Sequence, residues 1–249
     1  EDKARVFHFE HGKAIPDVQG SKILLDIGAA DADYLFSKKN LKYVIATEDK
    51  VDGVDDKKAY LKTLLLANGL HEDEFVLHSY EGCTKVDSAL TLQGFVRKQI
   101  PTAKVIVHFD RDQRLDNDEE ILKLLNDCEQ RSIPAFITEL CEIENYFCQP
   151  MHLQAIYGLD KEESEELYNR CLLELEQMTK DKLSNFILRS RPRLGRNADG
   201  KPDIAVLRTC VDEIYAKHRS SITPGKELLG KLKNHIQGVL RKDPTLIHG

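Results

Sequence analysis

Short apolar runs alternate with amphipathic stretches between residues 41 and 138 of the chain. The apolar runs are rich in β-branched residues and predict strands, whereas the intervening stretches repeat apolar residues every three to four positions and predict helices. The predicted strands are 42–47, 75–78, 105–109 and 134–138, and the predicted helices are 55–68, 86–99 and 117–130. Strands that alternate with helices indicate an α/β fold, with a mostly parallel sheet and helices on both faces.

The strand pattern stops after Pro150, and four helices are predicted in the rest of the chain, at 161–178, 181–189, 203–218 and 226–239. Ahead of residue 41 the pattern is weaker and predicts a hairpin near the start, followed by a short helix. We therefore expect three parts: a connector over 1–40, an α/β domain over 41–150 and an α-helical subdomain over 151–249.

Composition narrows the classes of protein that the chain can belong to. It has 249 residues, of which 41% are hydrophobic and 31% are charged, as expected for a soluble globular protein. The net charge of −6 means that a polyanionic partner would have to be met by a local basic patch or by metal ions. The sequence contains no long uncharged apolar run of the kind that predicts a membrane span, and it shows no secretory signal.

The six cysteines form no CxxC pair and no zinc-binding spacing. Most of them fall in apolar periodic segments, which predicts reduced core thiols in a cytoplasmic protein. The chain opens on Glu1 rather than on methionine, and we expect that it is cut from a longer protein.

Acidic residues follow two of the predicted strands. Asp110 and Asp112 come directly after the run 105–109, while Glu48 and Asp52 follow the run 42–47. The carboxyl ends of parallel strands share one edge of a sheet, so these side chains are expected to converge. Two carboxylates about 4 Å apart repel each other by roughly 4 kcal/mol at an effective dielectric near 20, and a divalent cation would reverse that repulsion. The alternative is a solvated acidic loop, or a helix N-terminus that favours acids through its dipole.

Glu142 and Glu144 flank a single isoleucine in the segment 140–147. If this segment is extended, both carboxylates face the same way. The alternative is a loop or sheet edge with solvated acids.

Together these motifs resemble the TOPRIM domain, in the version found in OLD (overcoming lysogenization defect) nucleases. Glu48 and Asp52 match the first acidic motif of that family, although Asp49 stands where a glycine is usual. Asp110 and Asp112 match its Asp-x-Asp motif.

The resemblance extends to three further segments. Glu144 matches the acidic residue of the family's Ile-Glu-Asn-Tyr segment, and Glu142 occupies a position that is often a serine ligand. Lys226, in a Pro-Gly-Lys sequence, resembles the family's catalytic lysine, and residues 32–36 resemble its join to an ATPase half. The resemblance covers residues from about 30 to 150, and the helical part only through Lys226.

The resemblance implies a metal-dependent DNA endonuclease with a TOPRIM-like catalytic domain over 41–150. Two Mg²⁺ or Mn²⁺ ions would activate a water and stabilise the leaving 3′ oxygen, and Lys226 would offset charge on the scissile phosphate. The metal ligands would be Glu48, Asp52, Asp110, Asp112, Glu144 and Glu142. The resemblance also implies an upstream ABC-type ATPase half, dimer assembly and a role in anti-phage defence or DNA repair. Since no Walker motif is present, this chain is not expected to hydrolyse ATP.

The densest basic patch lies in a loop that contains proline and glycine. It consists of Arg189, Arg191, Arg193, Arg196 and Lys201. Such a loop is suited to contact a DNA backbone, and a solvated loop is the alternative. Gly200-Lys201 is not a phosphate-binding P-loop, since Pro202 replaces the required serine or threonine.

Two other functions remain open on the sequence alone. An acidic site can bind metal without cutting, in a regulatory or assembly module. A phosphatase of the haloacid dehalogenase type also carries Asp-x-Asp at a strand end, but it expects threonine or valine where this chain has Arg114. His108, alone in an apolar strand, is expected to be a hydrogen-bonded core residue.

Overall fold

The computed structural model describes residues 7–10, 13–16, 40–47, 57–79, 92–94, 96–98, 100–191 and 194–246. Three of the predicted site residues, Glu48, Asp52 and Arg193, lie outside these ranges, as does most of the predicted connector.

The described elements follow the predicted order closely. The strands are β1 (Phe7–Glu10), β2 (Lys13–Pro16), β3 (Tyr43–Thr47), β4 (Phe75–Ser79), β5 (Lys104–Phe109) and β6 (Ala135–Ile137). The helices are α1 (Lys57–Ala67), α2 (Glu119–Gln130), α3 (Pro150–Tyr157), α4 (Lys161–Glu174), α5 (Glu176–Ser190), α6 (Ile204–Ile222) and α7 (Gly225–Gly238). A 3-10 helix spans Ile143–Cys148, and residues 92–94 and 96–98 are helical within the predicted helix 86–99.

The central sheet has four parallel strands in the order β4-β3-β5-β6. In the register of the sheet, Thr47 at the end of β3 lies between Ser79 of β4 and His108 of β5. The carboxyl ends of these three strands therefore form one edge. The α/β prediction is confirmed, and so is the separate antiparallel hairpin of β1 and β2.

Helices cover both faces of the sheet. Successive side chains of a strand point to opposite faces, so neighbouring residues of β3 pack in different clusters. Val44 packs in a cluster with Leu92 and Val96 from the helical segments before β5. Its neighbour Ile45 packs on the other face with Tyr60 of α1 and Leu228 of α7. This second cluster also contains side chains of α3 and α4, so one apolar core joins the sheet to the helical part of the chain.

After Pro150 every helix or strand element of the described chain is a helix, as predicted, and the loop between α5 and α6 carries one isolated β-bridge, between Arg196 and Pro202. The predicted helix 161–178 is wrong in its boundary, because the chain departs from helical geometry at Leu175 and α5 begins directly afterwards. Helix α3 was not predicted, although Pro150 at its start and Gly158 at its end, with φ of 64°, are typical helix boundary residues.

Two smaller predictions concern thiols and membranes. The five cysteines within the described ranges are free, and four of them are buried. Within the same ranges, no helix combines the length and the apolar character that crossing a membrane requires.

Candidate functional site

Asp110, the first residue after β5, lies at the carboxyl edge of the sheet with only 6% of its surface exposed. Its Oδ1 accepts a hydrogen bond of 2.9 Å from the backbone N–H of Ile143. This bond ties the end of a central strand to the turn that carries Glu142 and Glu144. Two of the predicted acidic segments are thus brought together across 33 residues of sequence.

Beside Asp110, His108 is fully buried in β5. Its Nδ1 lies 2.9 Å from the hydroxyl of Thr47, and its Nε2 lies 3.9 Å from Oδ1 of Asp110. The prediction of a hydrogen-bonded core histidine is confirmed. The contact also ties β3, at the residue that precedes Glu48, to the strand that ends in Asp110.

Asp112 lies on a turn and not on an extended continuation of β5. Its φ of 54° is in the left-handed region, and its N–H donates to the carbonyl of Cys141 at 2.7 Å. Asp110 and Asp112 therefore do not project from one side of an extended chain, as alternate residues of a continuing strand would. The Asp112 carboxylate is 43% exposed and accepts a hydrogen bond of 2.7 Å from Arg114.

Glu142 and Glu144 also differ from the extended geometry considered for them. Glu142 is extended and precedes the 3-10 helix, whereas Glu144 lies inside that helix. Glu144 is 1% exposed and Glu142 is only partly buried. Their relative orientation is therefore set by the helical turn and not by strand alternation.

Lys226 is brought to the same turn from the far end of the chain. Its backbone N–H donates to Oε2 of Glu142 at 2.9 Å, across 84 residues of sequence. Its side chain is exposed at the N-terminus of α7. The structure thus places the predicted lysine beside the acidic turn, next to the segment that holds Asp110.

The pKa values of two cysteine thiols are raised by burial and, to a smaller extent, by acidic residues of this edge. Burial raises the pKa of the Cys141 thiol well above 9.0, and the charges of Glu142, Asp112 and Asp110 raise it further. Burial likewise raises the pKa of Cys148, with a further contribution from Glu144. Four of the predicted acidic residues therefore raise the pKa of one or both of two buried thiols.

The predicted basic patch divides into two kinds of residue. Arg189 and Lys201 are exposed, and Arg196 donates to the carbonyl of Gly200 at 2.6 Å. Arg191 instead forms ion pairs with Asp118 and Glu120 at the start of α2. The charge of Arg191 is already compensated within the protein.

The described residues fit hard-cation chemistry in the type of their donors, since Asp110 and Glu144 are buried carboxylates of adjoining segments. Within the described ranges, however, no group of three or more His, Cys, Asp or Glu side chains is arranged to hold a metal ion. The first acidic motif, Glu48 and Asp52, lies outside those ranges. The predicted set of ligands therefore stays a prediction.

Comparisons with protein family models, with curated proteins and with solved structures find no match for this chain. The resemblance to the TOPRIM domain of OLD nucleases thus rests on the motifs of the sequence.

Three residues of the site were not proposed as site residues from the sequence. Arg114 pairs with Asp112, and Asn145 is fully buried between the acidic turn and the residues ahead of α7. Gly225 contacts Asn145 so closely that a Cβ would lie 2.7 Å from its backbone nitrogen. The Pro-Gly-Lys sequence was a signal for the glycine. Thr223, the partner of Asn145, is 78 residues away, so no local sequence pattern indicates that contact.

Proposed function

We propose that this chain is the catalytic part of a divalent-metal-dependent DNA endonuclease. The observation that carries the proposal is the meeting of three remote segments at one edge of a parallel sheet. Asp110 accepts from Ile143, and Glu142 accepts from Lys226, so a strand end, an acidic turn and a lysine-bearing helix adjoin. An edge of this kind is where ligands bind in open α/β sheets.

Burial of the acidic side chains at this edge has an energetic cost. A buried carboxylate carries a desolvation penalty of several kcal/mol, and Asp110 and Glu144 are both buried. A divalent cation held by their oxygens would offset that penalty. We propose that Mg²⁺ or Mn²⁺ binds here, with Glu48, Asp52 and Asp112 completing the ligands of two ions.

The bound ions would supply an activated water and a stabilised leaving group for phosphodiester hydrolysis. Asp110 is held in place for this task by the N–H of Ile143. The Lys226 ammonium, exposed at the start of α7, would stabilise the charge that accumulates on the phosphate in the transition state.

The route of the DNA is the second part of the proposal. Arg189 is exposed near the end of α5, and Arg196 and Lys201 follow in the loop between α5 and α6. Basic side chains of this kind bind the phosphate backbone. Arg193 would extend the same loop. An upstream ABC-type ATPase region, dimer assembly and a role in anti-phage defence or DNA repair are further parts of the proposal that follow from the resemblance.

The decisive experiment is a plasmid-nicking assay in Mg²⁺ or Mn²⁺ with Asp110→Ala and Glu48→Ala. Each variant should lose at least about a hundredfold in rate, because removal of a ligand disrupts the organisation of the metal centre. Glu129→Ala, an exposed residue on α2, makes the same change of charge away from the site and should cut normally. Nicking that persists in both variants, with the fold retained by circular dichroism, would rule the proposal out.

A non-catalytic metal-binding module is the second candidate, because the pairing of Asp112 with Arg114 takes one carboxylate from the ligands that two catalytic ions would share. An arginine bound to one of the predicted ligands competes with a cation for that carboxylate. Mn²⁺ binding without plasmid nicking would identify such a module. Hydrolysis of a small phosphate ester alone would instead indicate a phosphatase of the haloacid dehalogenase type.

A further inference from the structure

The N-terminus of α7 is capped by a residue from a distant part of the chain. The first N–H groups of a helix have no partner within the helix, and a preceding side chain usually accepts one of them. Here the N-cap residue is Pro224, which makes no side-chain cap. The carboxylate of Glu142 takes that role, since its Oε2 accepts the N–H of Lys226 at 2.9 Å.

Asn145 makes a second connection between the same two segments. Its Oδ1 accepts the N–H of Glu142 at 2.8 Å, and its Nδ2 donates to the carbonyl of Thr223 at 3.0 Å. Both Asn145 and Thr223 are fully buried. One amide side chain therefore orients Glu142 and holds the residues that lead into α7.

Close packing at Gly225 fixes the distance between these segments. A Cβ at this position would lie 2.7 Å from both the backbone nitrogen and Oδ1 of Asn145. Only a glycine lets the start of α7 approach the acidic turn this closely. Lys226 follows directly, so the placement of its backbone depends on this contact.

We propose that Glu142 is a positioning residue that holds Lys226 at the acidic turn, and not a metal ligand. The inference rests on the proposed function for its catalytic consequence, but the capping contact can be tested without it. A carboxylate is favoured at a helix N-terminus, where the helix dipole and the free N–H groups attract negative charge.

Two substitutions separate the roles of a cap and of a ligand. Glu142→Gln keeps an oxygen acceptor for the Lys226 N–H but is a much poorer ligand for a divalent cation. Glu142→Ala removes both. If Glu142 is a positioning residue, only Glu142→Ala should lower the nicking activity. If Glu142 is a metal ligand, both variants should lower it.

Hydrogen exchange of the backbone amides at the start of α7 tests the capping contact without a nicking assay. In Glu142→Ala, exchange of the Lys226 amide should accelerate at least about tenfold, since the bond that protects it is lost. Glu142→Gln should restore the protection, and Lys226→Ala should keep it because the backbone N–H is unchanged. Equal protection in wild type and Glu142→Ala would overturn the proposal.

Metal dependence and kinetics supply the second test. Glu142→Ala should lower kcat for nicking about tenfold or more and leave the half-saturating Mn²⁺ concentration within twofold, while Glu142→Gln recovers most of the lost kcat. When combined with Lys226→Ala, the substitution Glu142→Ala should cause no further loss, since it acts through the lysine. A tenfold rise in half-saturating Mn²⁺ in Glu142→Gln, with Mn²⁺ binding followed by electron paramagnetic resonance, would identify a ligand and overturn the proposal.

Failure of the two proposals can be told apart. If the wild-type protein does not nick DNA under any metal condition, the proposed function is wrong. Exchange at Lys226 then still decides whether Glu142 positions α7.

Discussion

Carboxylates are held in two different ways in neighbouring regions of this molecule. In the first region, which we call the edge cluster (Asp110, Glu142, Asn145, Gly225 and Lys226), the carboxylates of Asp110 and Glu142 accept hydrogen bonds from backbone N–H groups. In the second, which we call the arginine network, carboxylates pair with guanidinium groups. The members of the arginine network are Asp112, Arg114, Asp118, Glu120 and Arg191.

The two kinds of hydrogen-bond donor differ in the formal charge that they bring to a carboxylate. A backbone N–H orients a carboxylate but adds no formal positive charge, whereas an arginine neutralises it. The arginine network therefore pairs three acids with two guanidinium groups, and Arg114 and Arg191 are each shared between two acids. The edge cluster holds Asp110 and Glu142 in a defined geometry through N–H groups of the backbone.

Within the edge cluster, the close packing of Gly225 against Asn145 is the contact most sensitive to substitution. In Gly225→Ala the new methyl group would meet the backbone of Asn145, so α7 must move away. We expect a loss of about 1–3 kcal/mol in the free energy of unfolding, as for other overpacked sites. Urea unfolding measures this loss, and nicking activity should fall with it.

Gly230 provides the matched control in the same helix. A Cβ there meets nothing within 4 Å. Gly230→Ala should therefore stabilise the protein by about 0.5–1 kcal/mol through its effect on backbone entropy. Equal effects of the two substitutions would show that the segments do not meet as described.

The arginine network should respond to the loss of one cation. Arg191→Ala leaves Asp118, whose side chain is 6% exposed, without its guanidinium partner. We expect a loss of about 2 kcal/mol in the free energy of unfolding, typical of a hydrogen-bonded charge left unpaired. Urea unfolding would detect it.

Arg189→Ala is the control, because Arg189 is exposed on the same helix. It should leave stability unchanged and weaken DNA binding, with a shallower dependence on salt. The opposite assignment, with Arg189 stabilising the fold and Arg191 binding DNA, would contradict the division of the basic patch.

The smallest expected effect concerns pH. Partial burial pushes the pKa of Glu120 up, but hydrogen bonds from Arg114 and Arg191 outweigh it and hold the pKa below 4.5. Because the folded-state pKa is lowered, Glu120 contributes stability that is fully present above about pH 4.5 and is lost as pH falls through the lower folded pKa. The contribution should stay below about 1 kcal/mol, since solvent screens a half-exposed pair.

Thermal unfolding between pH 6 and pH 3 would test this expectation. Glu120→Gln should reduce the loss of stability on acidification relative to wild type, whereas Glu119→Gln, exposed beside it, should not. An unaltered pH profile in Glu120→Gln would show that the arginine network does not depend on this charge.

Local sequence patterns were sufficient for most of the fold. The β-branched runs, their spacing and the amphipathic helices between them determined the parallel sheet, the helical region after Pro150 and the end of β5 at Asp110. They failed where local signals compete, as at Leu175, where one periodic pattern covers two helices. They also failed at Asp112, since a left-handed backbone conformation is unusual for aspartate and leaves no periodic signal.

Local sequence patterns identified the acidic residues that follow strands and showed that Lys226 opens a helix. The contacts of Glu142 with Lys226, of Asn145 with Thr223 and of Arg191 with Asp118 became visible only in the folded chain. The physical reason is range: periodicity and capping depend on residues a few positions apart. These contacts join groups separated by 73 to 84 residues, and they form only when the sheet and the helices pack around one core.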